Sequence, residues 1–229
     1  MQRMLIVLAV CGGMGEWAIR PSWAQEKPAA APASAGVSAL QVDLASSRVY
    51  VKVGSTSRLG HEHGIIGRLA AGSVTLGGPG DLVFDMRTFV ADLPEARRYV
   101  GLTGSVSASD QQKTTGNMLS KDVLAVAQYP TAKYQFRSAT PLDGQPVGEP
   151  GRYQLDGVFT LHGAALPLPL TATLEKTTTP GALRMRTAFA ILQSQFGITP
   201  YSALGGLVGV TDRLDIWGDL ILRTATGGR

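Results

Sequence analysis

The sequence contains a single cysteine, Cys11, among its 229 residues. Cys11 lies in an N-terminal segment that has the pattern of an export signal, so the mature chain is predicted to contain no cysteine. This excludes disulfide bonds, thiolate catalysis and cysteine-based metal sites from the mature protein. Its stability must come from a hydrophobic core, and about 190 residues are enough to form one domain with such a core.

The chain also lacks a strong net charge and a long hydrophobic run. It has 21 Lys and Arg residues against 17 Asp and Glu residues, a formal net charge of +4, and the basic residues form no cluster. Nucleic-acid binding is therefore not predicted, because it requires a concentrated basic surface. No apolar stretch reaches the length of about 20 residues that a membrane-spanning helix needs.

The first 24 residues have the three parts of a secretory signal peptide. Residues 1–3 are a short basic start, residues 4–10 are a compact apolar run, and residues 22–24 provide a small-x-small cleavage site. We expect cleavage before Gln25 and a periplasmic location, with an uncleaved anchor or lipidation at Cys11 as alternatives. Residues 25–38, rich in Pro, Ala and Ser, are predicted to be a flexible linker before one folded domain at 39–224.

Apolar side chains occupy every second position in several consecutive stretches. A period of two is typical of β-strands with one apolar face, and Gly- and Pro-containing gaps such as 179–181 fit turns between antiparallel strands. An apolar sheet face is covered by a second sheet or by closure into a barrel, and barrels of about eight strands can hold one small ligand. The alternating sets are Tyr134 and Phe136; Tyr153, Leu155, Phe159 and Leu161; Leu166, Leu168, Leu170 and Leu174; and Leu183, Met185, Phe189 and Ile191.

Two segments interrupt the strand pattern. Residues 92–100 are charged and compatible with a helix, and residues 109–127 are the best helix candidate because their apolar residues recur at helical spacing. Asp110 or Ser109 can cap the start of this second helix, and Pro130 disfavours a helical residue before it. The predicted architecture is an antiparallel β-meander with one helical insertion.

Four short motifs follow one another along the folded part. They are Gly60-His61-Glu62-His63; the segment from Asp110 to Tyr129-Pro130-Thr131-Ala132-Lys133-Tyr134; Leu155-Asp156-Gly157-Val158-Phe159-Thr160-Leu161-His162-Gly163; and Ser194-Gln195-Phe196-Gly197-Ile198 with Asp212. In this order they resemble the motifs of the YceI-like family of periplasmic lipid-binding proteins. The resemblance implies an all-β fold, an antiparallel lipocalin-like β-barrel around an apolar tunnel. It also implies an isoprenoid-tailed ligand, such as a polyprenyl phosphate or a quinone, and no shared catalytic reaction.

His61 and His63 are the strongest candidates for a chemical role. Side chains at positions i and i+2 of a strand point to the same side, so both imidazoles can share a metal ion. Such a site needs a third ligand, and the sequence does not show whether any other candidate reaches the pair. The alternatives are a mouth site, where imidazole hydrogen-bonds a lipid head group, and loop histidines that bond nearby backbone. The other candidates for the third ligand are His162, Asp85, Asp110 and Asp212.

We adopt the head-group interpretation for His61 and His63 and predict no metal and no cofactor. Bulky apolar side chains on the inward strand faces are predicted to form the wall around the lipid tail, with plain core packing as the alternative for each of them. Met118 and Leu124 of the helix are expected to plug one end of the barrel. The predicted wall consists of Phe84, Met86, Met118, Leu124, Tyr134, Phe136, Phe159, Leu161, Met185 and Phe189.

Two further features are interpreted without a chemical role. The glycines at 205, 206 and 209 are not followed by a Lys-Ser/Thr pair, so they predict a flap over the pocket rather than a phosphate-binding loop. Arg97 and Arg98 are interpreted as a solvated helix face, with contact to anionic head groups as the alternative. No serine lies in a nucleophile-elbow context, which gives hydrolase chemistry little support.

The sequence therefore predicts non-catalytic binding or transport of an isoprenoid-type lipid in the periplasm. The alternatives are a His-based metal- or haem-linked redox accessory protein, and a stress or scaffold protein whose barrel is packed solid. The predicted partner is the lipid, without nucleic acid. The resemblance is also compatible with transient contact with a membrane surface and with a homodimer.

Overall fold

The computed structural model describes residues 39–57 and 60–224. The predicted signal peptide at 1–24 and the predicted linker at 25–38 lie outside these residues. Within them the chain forms eleven β-strands. The strands are β1 (Leu40–Val42), β2 (Arg48–Ser55), β3 (His63–Val74), β4 (Gly80–Ala91), β5 (Thr131–Pro141), β6 (Gly151–Leu161), β7 (Ala164–Pro167), β8 (Leu170–Lys176), β9 (Ala182–Leu192), β10 (Ser202–Ala203) and β11 (Val208–Thr224).

Eight of these strands close into an antiparallel barrel, which confirms the predicted fold class. The barrel runs in the order β2, β3, β4, β5, β6, β8, β9 and β11, and β11 returns to pair with β2. Ile216 of β11 lies opposite Val51 of β2 on one side and Phe189 of β9 on the other. The last strand of the chain therefore closes the ring between two earlier strands.

Two helices lie in the single excursion between β4 and β5. They are α1 (Pro94–Tyr99) and α2 (Ala108–Leu119), and short 3-10 turns occur at Gln193–Phe196 and Leu204–Gly206. The prediction of a helix over 109–127 was too long at its C-terminal end. Ser120 leaves the helical region with ψ 167°, and Ala125 has φ 44°, so the chain continues in turns instead of helix. The residue that caps α2 is Ser107, whose hydroxyl accepts a hydrogen bond from the Asp110 amide.

The strand predicted from the alternating leucines at 166–174 is divided into β7 and β8. β7 pairs with the second half of β6, whereas β8 pairs with its first half and continues the barrel. Pro167 and Pro169 lie at the break, where neither can donate a backbone hydrogen bond to a ladder. The Leu168 carbonyl between them accepts a hydrogen bond of 2.9 Å from the Tyr134 hydroxyl.

The apolar faces of the strands turn into the barrel and form the main core. A second, smaller cluster lies on the outer surface, where α1 packs on β2 and β3 through Tyr50, Ile66, Ala96 and Val100. The rings of Tyr50 and Tyr99 stack in this cluster with centroids 3.6 Å apart. Among the described residues, no helix combines the length and the apolar character that crossing a bilayer requires.

Candidate functional site

The barrel is not filled by its own side chains. It contains a cavity of about 380 Å³, lined mainly by apolar side chains from β2, β4, β5, β6, β8, β9 and β11. This volume lies within the range of about 300–1,000 Å³ that is common for small-molecule sites. Residues 60–63, α2 and residues 201–210 border the cavity at one end, which we call the mouth.

The predicted wall residues line the cavity, with one exception. Their role in binding a ligand stays a prediction. Phe159 is at the centre of an aromatic group and contacts Phe84, Phe189 and Phe196 edge to face, with centroid distances of 6.5, 6.4 and 5.6 Å. The residues on the cavity wall are Phe84, Met86, Met118, Leu124, Tyr134, Phe159, Leu161, Met185 and Phe189.

Phe136 is the exception, because it does not line the cavity. It lies opposite Gly80 in the β4–β5 ladder, and a Cβ atom on Gly80 would come within 2.1 Å of its ring. The ring therefore covers Gly80 and is buried in the packed core, with 3% of its surface exposed. The period of two predicts that Phe136 points inward, but it does not show how far along the barrel the cavity extends.

Helix α2 covers one side of the mouth. Its polar side chains Asp110, Lys113 and Asn117 border the cavity together with Met118. The Ala91 amide at the end of β4 donates a hydrogen bond of 3.0 Å to the Thr115 hydroxyl, which holds the helix in this position. Sequence reasoning considered Asp110 as a possible ligand but missed Lys113 and Asn117, since only the apolar positions of this helix were predicted to face the barrel.

His61 and His63 both border the cavity at the mouth. Their ring centroids are 4.6 Å apart, and the ring planes are inclined by 56°. His61 is exposed, whereas His63 begins β3 and is partly buried. The Nδ1 atom of His63 lies 2.6 Å from Oδ2 of Asp92, so this ring has a fixed carboxylate partner.

Asp92 is a fully buried carboxylate directly after β4. Burial on its own would raise the pKa of the Asp92 carboxyl, but hydrogen bonds from His63, the Gly64 amide and Arg97 lower that pKa below its ordinary value. Asp92 also has φ 60°, a left-handed conformation that is uncommon outside glycine. Its strained backbone is stabilised by the partners on both carboxylate oxygens.

Arg97 is buried, which contradicts its interpretation as part of a solvated helix face. Its Nη1 atom donates to Oδ1 of Asp92 at 3.0 Å and to the Glu62 carbonyl at 3.3 Å. Further hydrogen bonds reach the carbonyls of Thr103 and Gly104. Arg97 therefore joins α1, the loop after it and the His61–His63 segment, while Arg98 next to it is exposed.

Asp92 contacts His63, but the carboxylates that the sequence analysis considered have other partners or positions. Asp85 pairs with Arg87 at 2.8 Å, and Asp212 accepts hydrogen bonds from Ser194. Asp110 borders the cavity but is also the partner of Ser107. His162 lies at the turn after β6, where its Nδ1 atom is 3.3 Å from the Phe196 carbonyl.

The glycine-containing segment 201–210 borders the mouth, as expected for a flap. Tyr201 and residues 208–210 line the cavity. Leu204 and Leu207 at the tip of this segment are the most exposed of the large apolar residues that the structure describes, at 74% and 61%. The two ends of this segment therefore line the cavity, whereas its apolar tip is exposed to solvent.

A closed antiparallel barrel around an internal cavity places the chain in the lipocalin-like class of β-barrels. A family model of the YceI-like domain matches residues 40–220. The chain therefore belongs to the YceI-like family, which confirms the resemblance seen in its motifs.

Two solved structures show the same fold. A polyisoprenoid binding domain from Saccharophagus degradans, implicated in plant cell wall breakdown, is 13% identical, and the match covers 82% of this chain and 99% of that domain with a TM-score of 0.56. BcnA from Burkholderia cenocepacia is 16% identical, and the match covers 79% of this chain and 98% of BcnA with a TM-score of 0.50. No curated protein matches the sequence.

Proposed function

We propose that the protein binds an isoprenoid-type lipid, such as a polyprenyl phosphate or a quinone, and carries it in the periplasm without catalysing a reaction. The observation that carries this proposal is the apolar cavity of about 380 Å³ inside the barrel. Burial of a tail there contributes about 0.8 kcal/mol per methylene before ordering costs. Membership of the YceI-like family and the polyisoprenoid binding domain among the structural neighbours support this ligand class.

The mouth supplies the polar groups that a head group needs. His61, His63 and Lys113 border the cavity there, beside the apolar wall. An imidazole N–H or a lysine ammonium can donate a hydrogen bond to a phosphate oxygen or a quinone carbonyl. The proposed orientation therefore places the tail inside the barrel and the head group beside the two histidines.

Transient contact with a membrane surface is part of this proposal, because a carrier must collect its lipid from a bilayer. The exposed Leu204 and Leu207 lie in the segment 201–210, of which Tyr201 and residues 208–210 line the cavity. Apolar side chains at such a tip can enter the interfacial region of a bilayer. The predicted homodimer stays a prediction.

The decisive experiment is native mass spectrometry of untagged protein from the periplasmic fraction, followed by extraction and identification of any bound lipid. We expect a near-stoichiometric isoprenoid adduct on a chain that begins at Gln25. Val51→Phe adds a ring to the cavity wall and should remove most of the adduct, because it occupies the space of the tail. Val158→Phe is the matched control, since Val158 is 40% exposed on the opposite face.

The two variants separate the proposal from a folding defect. Both must melt cooperatively by circular dichroism before their lipid content is compared. A bare mass for the wild-type protein, or equal lipid content in Val51→Phe and the wild type, would contradict binding in the cavity. A chain recovered only from the cytoplasm with residues 1–24 intact would contradict the periplasmic part.

A further inference from the structure

The segment that contains His61 and His63 is attached to the rest of the protein at Glu62. The residue between the histidines, Glu62, is fixed at both its backbone and its side chain. Its carbonyl accepts a hydrogen bond from Arg97 at 3.3 Å, and its carboxylate lies 3.0 Å from the Lys52 ammonium. This double attachment fixes the backbone on which both imidazoles are mounted.

Asp92 determines which nitrogen of His63 can bind a metal ion. The Nδ1 atom of His63 faces the Asp92 carboxylate at 2.6 Å, so it carries the proton when the ring is neutral. The lone pair of the neutral ring is then on Nε2. Carboxylates commonly orient metal-binding histidines in this way and raise their basicity.

Asp92 has a cationic partner and a backbone donor in addition to His63. The Arg97 guanidinium lies 3.0 Å from Oδ1 of Asp92, and the Gly64 amide donates to the same oxygen at 3.1 Å. The buried carboxylate therefore already has a permanent cationic partner, since arginine stays protonated in proteins. Asp92 therefore does not depend on His63 as its only partner, and a neutral imidazole is the form that binds metal ions.

His61 provides the second nitrogen. One ligand atom from each of His61, His63 and Asp92 can be chosen so that all three lie within 4.8 Å of one another. Two ligands of one Zn²⁺ ion lie roughly 3.3 Å apart when the bonds are about 2.0 Å long. His61 is exposed, so its side chain can rotate to bring a ring nitrogen to this distance from Nε2 of His63.

We propose that His61 and His63 bind a divalent cation of the Zn²⁺ type at the mouth of the cavity, with Asp92 as a positioning residue behind His63. Two imidazoles favour borderline ions such as Zn²⁺, Co²⁺, Ni²⁺ or Cu²⁺ over Mg²⁺ and Ca²⁺, which prefer oxygen ligands. Two protein ligands leave coordination positions open toward the cavity. Water fills them in the free protein.

This site also gives the head group of the cargo a defined partner. An oxygen of a phosphate or a quinone carbonyl can replace water on the ion, because both are good ligands for a Lewis acid. Only this second step depends on the proposed lipid function. Binding of the ion itself is independent of any cargo, so it is tested without lipid.

The test is isothermal titration calorimetry with Zn²⁺ of untagged protein that begins at Gln25, a chain that contains no thiol. We expect one ion per chain. His61→Ala and His63→Ala should each weaken binding about tenfold or more, and Asp92→Asn should do so by about 10–100-fold. The matched control is His162→Asn, which removes the other histidine and should leave the affinity unchanged.

His61→Ala is the decisive variant, because His61 is exposed and the folded chain does not depend on it. If Asp92→Asn fails to fold, the histidine variants still decide the outcome. Absence of saturable binding by the wild type would overturn the proposal. Equal affinity in the wild type and His61→Ala, or an equal loss in His162→Asn, would overturn it as well.

The contribution of the ion to cargo binding is a separate measurement. Lipid uptake from vesicles that contain a quinone is compared with Zn²⁺ and with a chelator present. Faster or tighter uptake with Zn²⁺ in the wild type, lost in His61→Ala, supports the ion as head-group ligand. Zn²⁺ binding without any quinone uptake would support the metal site and contradict a quinone as the cargo.

Discussion

Arg97 is a buried residue at the mouth that is expected to contribute strongly to the stability of the protein. Arg97→Ala should lower the free energy of unfolding by about 3–5 kcal/mol, because it leaves the Asp92 carboxylate buried without its cationic partner. Arg98→Ala is the matched control on the same helix and should change it by no more than about 0.5 kcal/mol, since Arg98 is exposed. Urea denaturation of both variants measures the difference. Similar losses in the two variants would show that the Asp92–Arg97 pair contributes little to stability.

Among individual residues, the sequence predicted the inward side chains of the wall but not the polar network of His63, Asp92 and Arg97 at the mouth. The period of two is local, so it predicts that Phe159 and Met185 point into the barrel without knowledge of the register. The contact between His63 and Asp92 joins residues 29 positions apart, and it depends on the pairing of β3 with β4. Nothing in the Arg97-Arg98 dipeptide indicates that only the first arginine turns inward.

Helix α2 is the element that covers the mouth, and its start depends on one cap. Ser107→Ala removes the hydrogen bond from the Asp110 amide and should destabilise the helix by about 1 kcal/mol. Amide hydrogen exchange over 108–119 should then become about fivefold faster, while exchange in the barrel strands stays unchanged. Ser109→Ala alters a serine of the first turn that does not cap the helix, so it is the control. Equal exchange in the two variants would show that the cap does not limit opening of α2.

The elements themselves could largely be predicted, and the errors have local causes. Alternation and turn residues indicated the long strands, and the segment 92–100 contains α1 as expected. The end of α2 was missed because apolar spacing continues beyond Leu119, although Ser120 already leaves the helical conformation. The break between β7 and β8 was missed because the leucine alternation continues through Pro167 and Pro169. The hydrogen-bonded ladder with β6 is interrupted at these two prolines.

At the scale of the whole molecule, β11 completes the barrel. Truncation after Leu207 removes this strand and exposes the edges of β2 and β9 together with the apolar face that Ile216, Leu220 and Leu222 cover. We expect loss of the cooperative thermal transition and association of the truncated chains, because unpaired edges bind other strands. Truncation after Thr224 is the control and should melt like the full chain. A cooperative transition retained without β11 would contradict its role in closure.

In the half of the barrel away from the mouth, the strands form a hydrogen-bonded ring, and this has a consequence for kinetics. The part of a long tail that lies in this half cannot leave between strands, so it has to be withdrawn lengthwise toward the mouth. Each additional methylene inside then adds about 0.8 kcal/mol to the work of withdrawal, which lengthens the residence time about fourfold. The residence time therefore increases with the length of the tail, so short tails exchange quickly and long tails are retained.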